Sequence, residues 1–458
     1  MSIAARPEPT DDAGGLGPGA AERRLPVAAG LAIVLAILAI YAISNPARIS
    51  PYDHFVRQAA AFLDGKAAIA LPDPSSPDAP ANGYFQDAMP LYDEAGRPTG
   101  EALIPFPPLP ALVLLPFVAL LGEAVNGQWA ATIAGALAVG VALRMLGWLP
   151  IDRRSRLLAT VFLGLGTVLW YTSAIGTTWF LAHTIAVALV LLAIERALAA
   201  EAGPPGRGPL HRGQFAAGLL LGIAATARLP VILGAPFLAL VGGGGSFVGR
   251  SLSAGIGAAI PIGALFAYNL VSTGELFHPA YDYQYLREAF GYPELGYRPD
   301  WAIEDLRYIP QNLGVMFGSL PRVLPDCAPG LERGLFSPEC PWVVPDPIGM
   351  SLVLTSPAWL LALPAIAIGR SPRIVLGAVA AVVAIAIVNL AHFSQGWVQF
   401  GYRFSNDFAP FALVLVALGI ERLRARWGGR GLAVAATLVA LSIAIQAWGV
   451  AWGMVLGW

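Results

Sequence analysis

The chain has 458 residues, 56% of them hydrophobic and 12% charged, with a formal net charge of −1. A soluble domain carries about 25% charged residues, so an ordinary soluble globular protein is excluded, and the near-neutral balance without a basic patch gives no footing for nucleic-acid binding. The apolar residues gather in runs of roughly 17–22, long enough to cross a hydrocarbon core of ~30 Å, which predicts an all-α polytopic membrane protein.

Residues 1–24 are rich in Pro, Gly and Ala and close on Arg23 and Arg24. Such a composition predicts a disordered tail. The apolar run 25–44 is long for a signal-peptide core and is followed by no small-x-small cleavage site, so it reads as an uncleaved first membrane helix. Further apolar segments follow at 126–147, 157–173, 181–197, 215–226, 229–242, 252–271, 350–369, 374–391, 407–421 and 431–452, eleven in all. Segments 215–226 and 229–242 are short for spanning, and merging them at Pro230 would invert everything downstream. The arginines arbitrate. With eleven transmembrane helices and a cytoplasmic N-terminus, "IDRRSR" (151–156), "GRSPR" (369–373) and "ERLRARWGGR" (421–430) all fall inside, as the positive-inside rule requires. The membrane domain then covers 25–452, and two long extracytoplasmic loops with short juxtamembrane helices emerge at 45–125 and 272–349.

In the first loop, "SPYDHFVRQAAAFLDGK" (50–66) places Tyr52, Phe55, Val56, Ala59, Ala60 and Leu63 on one helical face. Ser50 suits the N-cap, Pro51 the first helical position and Gly65 the stop. Three turns are too few to span, so this helix lies at the interface. Asp53, as third helical residue, completes a capping box and meets the helix dipole; a catalytic role is the alternative, and the two are compatible. Pro105, Pro107, Pro108 and Pro110 then force an extended entry into the apolar stretch 104–122, a second juxtamembrane helix.

Later candidates are scattered along the chain. His183, in "TTWFLAHT", orients substrate, binds metal or only packs. Arg228 ends a helix at the expected outer surface, where its fork suits a lipid phosphate and snorkelling is the alternative. Tyr268 and Asn269 lead into the second outer loop, whose segment 278–301 is dense in Tyr and acids. That composition suits sugar stacking and an ordered interfacial loop equally. Cys327 and Cys340 share this loop, and outside the cytoplasm a disulfide between them is expected. His392 is a weaker candidate. Tyr402, Arg403 and Asp407 sit where the ninth helix has exited and the tenth begins. Arg403 is a second phosphate candidate, with an i,i+4 salt bridge to Asp407 as the alternative. "GGGG" (242–245) carries no P-loop Lys and reads as a turn, and no HExxH, zinc-type Cys cluster or nucleophile elbow is present.

A membrane helix, then Asp53 in a short outer helix, then Phe106-Pro107-Pro108 leading into an apolar run resembles the GT-C glycosyltransferases, which include the protein O-mannosyltransferases and the lipid A aminoarabinose transferase. "GLLLGIAATARLPVI" (218–232), "FAYNLVSTGELFHPAY" (266–281), "RGLFSPE" (333–339) and "GYRFSNDFAPFALVLVALG" (401–419) resemble later segments of that superfamily in the same order. The resemblance implies transfer of a monosaccharide from a polyprenyl-phosphate donor to a hydroxyl of a lipid, glycan or protein acceptor. It places the site on the outer face of a bacterial-type cytoplasmic membrane, with inversion at the anomeric carbon and Asp53 as general base. Arg228 and Arg403 would neutralise the leaving phosphate, and His54, His183, Tyr268, Asn269 and Tyr402 would contact substrate. Many members have an acidic pair where this chain has His54 after Asp53, so proton transfer and a divalent metal at Asp53 and His54 stay open; no other cofactor is expected. A transporter or lipid flippase is the alternative, which accounts for many helices but not for two long outer loops with short inner ones. A non-catalytic envelope assembly subunit or receptor is a third reading.

Overall fold

A computed structural model of the chain describes residues 27–457 except 49, 51, 73–84, 204–209, 292, 324–326 and 368–371, and leaves out the side chain of residue 294. The expected tail 1–24, the Pro51 helix start and most of "GRSPR" therefore lie outside the described residues. The helices, in chain order, are α1 (Val27–Ser44), α2 (His54–Leu63), α3 (Leu109–Leu121), α4 (Gly127–Leu146), α5 (Arg153–Leu165) and α6 (Leu169–Ile175). Then come α7 (Thr178–Ala202), α8 (Arg212–Ala225), α9 (Ala235–Leu240), α10 (Phe247–Thr273), α11 (Ala280–Gly291) and α12 (Ile309–Leu313). The last are α13 (Leu352–Thr355), α14 (Leu363–Ala367), α15 (Pro372–Ala391), α16 (Ser405–Trp427) and α17 (Gly429–Val455).

Five of these, α1, α4, α10, α15 and α17, are long and apolar enough to cross a membrane, and α5 with α6, bent by 44° at their break, adds a sixth if read as one span. The protein is thus a mostly helical membrane protein. Several expected spans are interrupted. Segment 229–242 is a 3-10 turn, Leu229–Gly234, running into the short α9, and 350–369 is divided among α13, a 3-10 turn at Pro357–Ala362 and α14. Pro230, Pro236, Pro357 and Pro364 sit at these breaks, where each ring removes an N–H donor and crowds the preceding turn. By contrast, α7 has 25 residues and α16 has 23, and every residue of α16 from Ser405 to Ile420 is buried. A helix that is apolar all round belongs inside, and α16 packs against α5, α7, α15 and α17.

The outer helices meet this centre through small side chains. An added Cβ at Gly218 of α8 would stand 1.9 Å from the Ala254 carbonyl oxygen of α10, and one at Gly257 would stand 2.2 Å from that of Phe215. Such contacts let backbones approach closely where lipid supplies no hydrophobic drive between helices. The far face of α10, with Ile256, Ile260 and Leu270, is exposed.

The first long loop holds both expected short helices and one unexpected sheet. α2 ends at Gly65 with φ +72°, as its stop signal predicts, but it begins at His54. Asp53 is therefore the N-cap residue and makes no side-chain cap bond, so the expected capping box is absent. α3 starts at Leu109 and packs on α2, with Pro108 as its N-cap in a helical conformation and Pro110 in its first turn, so the expected extended entry does not include these two prolines. Between them, β1 (Ile69–Ala70), β2 (Met89–Tyr92) and β3 (Pro98–Leu103) form an antiparallel sheet in the order β1-β3-β2. Its own core is Ile69, Phe85, Ala88, Ala102 and Ile104. In the second loop, β4 (Arg322–Val323) pairs with β5 (Val343–Val344), and Cys327 is disulfide-bonded to Cys340 with Cα atoms 5.6 Å apart, as expected.

The α8–α10 contact gives a direct test. Gly218→Ala should lower the melting temperature in detergent by an amount matching about 1–3 kcal/mol of overpacking. Gly263→Ala, where a Cβ meets nothing within 4 Å, should leave it unchanged or raise it. Equal shifts would refute the close approach.

Candidate functional site

The site is built on the start of α16. Asp407 is fully buried and its carboxylate accepts from three side chains on other elements. Arg228, just before the 229–234 turn, donates through Nε at 3.2 Å and Nη2 at 2.8 Å. His183 of α7 contacts it through Nδ1 at 3.0 Å, and Asn389 of α15 through Nδ2 at 3.1 Å. A carboxylate only accepts, so His183 carries its proton on Nδ1 in this contact. Its Nε2 is buried without a protein partner.

Above this node lies a cavity of about 910 Å³. One wall is apolar and comes from the turn after Arg228 and from α10, with Leu229, Ile232, Leu233, Ile262, Leu265 and Phe266. The other is polar: Asp87, His183, Arg228, Glu288, Tyr297 and Arg403 all line it. Arg403 stands in the loop between α15 and α16. Among the described residues no carboxylate pairs with it, and its Nε has no hydrogen-bond partner. It lies over the Phe404 ring at 5.2 Å and the Phe180 ring at 5.8 Å. Gly396, with φ +95°, makes room for it, since a Cβ there would come within 2.6 Å of the guanidinium carbon. Burial pushes the Arg403 pKa down to about 10, with neighbouring Arg228 adding to the effect, so the group remains a cation at neutral pH. The expected alternative partner, Asp407, is held by Arg228 instead. Arg403 precedes α16 and has no helical i,i+4 relation to it.

The first long loop adds Asp87 to this polar lining. A turn closed by the Ala88 N–H on the Phe85 carbonyl at 3.0 Å leads into β2, and it presents Asp87 to the cavity. The His54 Nε2 stands 2.9 Å from Asp87 Oδ1. His54 Nδ1 faces the Thr178 hydroxyl at 3.3 Å, and that hydroxyl donates to the Tyr52 carbonyl at 2.8 Å. The imidazole sits among Phe85, Trp179 and Phe106, with ring centroids at 4.6, 5.8 and 6.4 Å. Asp87 Oδ2 is buried with no partner.

Asp53 is placed differently. Its Oδ1 accepts from Arg57 Nε at 2.9 Å, and Arg57 also reaches Glu123 at 3.6 Å. Asp53 lines a separate pocket of about 330 Å³ with Arg48, Glu123 and Gln128. Of the residues expected from the sequence, the large cavity gathers Arg228, Arg403, His183 and Asn269. His54 is fully buried behind Asp87. Tyr268 accepts from Gln58 of α2 at 3.2 Å, tying α10 to the loop. Tyr402 is fully buried beneath Phe404, with ring centroids 6.0 Å apart. Among the described residues no group of three or more His, Cys, Asp or Glu could hold a metal ion. Of the expected metal candidates, Asp53 contacts Arg57 and His54 contacts Asp87 and Thr178.

Asp87 and Glu288 were not marked by the sequence. Asp87 sits in an unremarkable "YFQDAMP", and the missing signal is the need of a buried His54 for an acceptor. Glu288 of α11 accepts from Gln284 at 2.9 Å. Burial raises its pKa from 4.5 to about 7, and the Asp87 charge pushes the same way, against the Gln284 bond, Arg403 and Arg287.

Compared with known proteins, the chain matches no family model, no curated protein and no solved structure.

Glu288 makes stability depend on pH with a definite sign. Below 4.5 both folded and unfolded chains hold the proton. Between 4.5 and 7 the unfolded chain releases it first, so stability falls as pH rises through this window and levels off above it. Glu288→Gln removes that loss. Its melting temperature relative to the parent should be higher at pH 8 than at pH 4.5, and equal differences at both would disprove the raised value.

Proposed function

We propose that the protein is an integral-membrane glycosyltransferase that moves a monosaccharide from a polyprenyl-phosphate donor to an acceptor hydroxyl. Arg403 carries this reading. It is a half-buried guanidinium whose Nε is buried, it has no carboxylate partner among the described residues, and it lines a cavity that is also lined by apolar side chains. Buried charges need a counter-charge. An anion joined to a long apolar tail meets both walls at once, and a lipid phosphate is such a ligand.

The chemistry follows from the leaving group. As the acceptor oxygen attacks the anomeric carbon, with inversion, negative charge grows on the departing phosphate. A fixed guanidinium stabilises that charge in the transition state more than in the ground state. Arg228, whose fork is on Asp407, sets the cavity wall and adds its field, and the phosphate seat falls to Arg403. The aromatic rings of Tyr281, Tyr297 and Trp179 line the same cavity and offer faces and hydroxyls to a sugar. No step here is routed through a metal.

The same reading takes both long loops as extracytoplasmic and the N-terminus as cytoplasmic. Eleven crossings result if α7, α8, the 229–240 segment, the 352–367 segment and α16 are counted with the six spans above. A transporter would need an alternating second opening of the central helices, and α16 is buried along sixteen consecutive residues, which favours a fixed frame.

Two measurements test this. Arg403→Gln should reduce release of polyprenyl phosphate from a polyprenyl-phosphate hexose by about 10²–10³-fold in the purified, reconstituted chain, with its melting temperature retained. Unchanged turnover would sink the phosphate assignment. For topology, an impermeant maleimide should label Arg97→Cys in intact cells and Arg154→Cys only after permeabilisation. Labelling of both from one side would overturn the orientation.

A further inference from the structure

The resemblance gives Asp53 as the base, but the geometry points to another carboxylate. We propose that Asp87, held by His54, is the general base of the large cavity and takes the proton from the acceptor hydroxyl. This rests on the glycosyl-transfer reading and goes beyond it by naming a group that the first-loop pattern does not mark.

Three observations carry the assignment. Asp87 lines the same cavity as Arg403, whereas Asp53 lines the smaller neighbouring pocket. Asp87 is only 3% exposed, one carboxylate oxygen is fixed by His54 Nε2 at 2.9 Å, and the other is buried with no partner among the described residues. Asp53 Oδ1 is engaged by Arg57 Nε at 2.9 Å, and the Asp53 side chain is part-exposed. A base needs one free lone-pair direction and a fixed orientation, and Asp87 has both. The fixing is itself layered, since His54 is boxed by Phe85, Phe106 and Trp179. Glu288 also faces this cavity, but it is hydrogen-bonded to Gln284 and its carboxyl holds a proton up to about 7. That suits it to donate a hydrogen bond to a sugar or phosphate oxygen beside the reacting centre.

The step balances without another reagent. The acceptor O–H bond breaks and its proton passes to Asp87 Oδ2. The oxygen forms the new glycosidic bond to the anomeric carbon. The bond from that carbon to the phosphate oxygen breaks, and its electron pair leaves on polyprenyl phosphate beside Arg403. Asp87 then returns the proton to solvent. His54 acts as a positioning residue, because it touches only Asp87 and the protein.

The experiment uses the full chain in nanodiscs, with farnesyl phosphate as binding probe and farnesyl-phosphate mannose, glucose and arabinose as donors. Binding is read as the thermal shift with farnesyl phosphate, and turnover as its release from each donor in the presence of a membrane-lipid extract as acceptor. Asp87→Asn should keep the thermal shift and lose about 10²–10⁴-fold in turnover, and Asp87→Glu should recover part of it. His54→Ala should lose turnover that His54→Gln, which still offers an N–H to Oδ1, largely restores. Turnover by Asp87→Asn equal to the parent overturns the proposal, as does loss of turnover in Asp53→Asn or Glu288→Gln while Asp87→Asn stays active. Joint loss of thermal shift and turnover in Asp87→Asn, with no recovery in Asp87→Glu, makes Asp87 a wall residue and overturns it too. A parent protein that binds farnesyl phosphate yet releases none from any donor overturns the glycosyl-transfer reading itself, and this assignment with it.

Discussion

Everything at the site hangs on one buried carboxylate. Asp407 accepts from Arg228, His183 and Asn389, and these belong to three different parts of the bundle. Such a node is not a large net source of stability, because removing the charges from water cancels much of their attraction. Its consequence is geometric. Four donor bonds on one carboxylate fix how α7, α15, α16 and the turn after α8 meet, and any slip among them would strand a charge where water cannot reach it. The loop carrying Phe404 and Arg403 enters α16 directly from this node, so the Arg403 guanidinium inherits its place from Asp407 without touching it.

Asp87 is held in place by a different device. The helices α2 and α3 of the first long loop pack into the main core, and the sheet between them brings a small core of its own. Ile69, Phe85, Ala88, Ala102 and Ile104 close the three-stranded sheet, and the turn before β2 carries Asp87. The sheet is then clipped to α2 through Asp87 and His54, and α2 is clipped to α10 through Gln58 and Tyr268. Cations and carboxylates thus reach the cavity from two parts of the fold that share the main core and are joined by a few directional bonds.

What the sequence reveals and hides follows from range. The apolar runs of α1, α4, α10, α15 and α17 are local signals and appear as expected, as do α3, the Gly65 stop and the Cys327–Cys340 bridge. The proline breaks at 229–240 and 352–367 are also local, but hydropathy averages over them, so continuous spans are read where the backbone is interrupted. The pairings are not local at all. Arg228 and Asp407 are 179 positions apart, and His54 and Asp87 are 33 apart. From the sequence Arg403 and Asp407 look like helical neighbours, and only the start of α16 at Ser405 separates them. Asp53 stands out for the same reason, since its helix is conspicuous. Asp87 does not, because what marks it is a missing partner on one oxygen, and that is visible only in three dimensions.

An unpartnered guanidinium and an unpartnered carboxylate oxygen in one cavity would close on each other if either scaffold were loose, and the resulting ion pair would quench both. They stay apart because each is fixed from behind, Arg403 by the Gly396 backbone and the Phe180 and Phe404 rings, Asp87 by His54. The raised pKa of Glu288 comes first from burial in the same cavity, with the Asp87 charge adding to it and Arg403 acting against it. A cavity with this separation is poorly satisfied when empty. Under the proposed function, a phosphate-linked donor meeting a hydroxyl acceptor would bring the anion and the proton that these two groups lack.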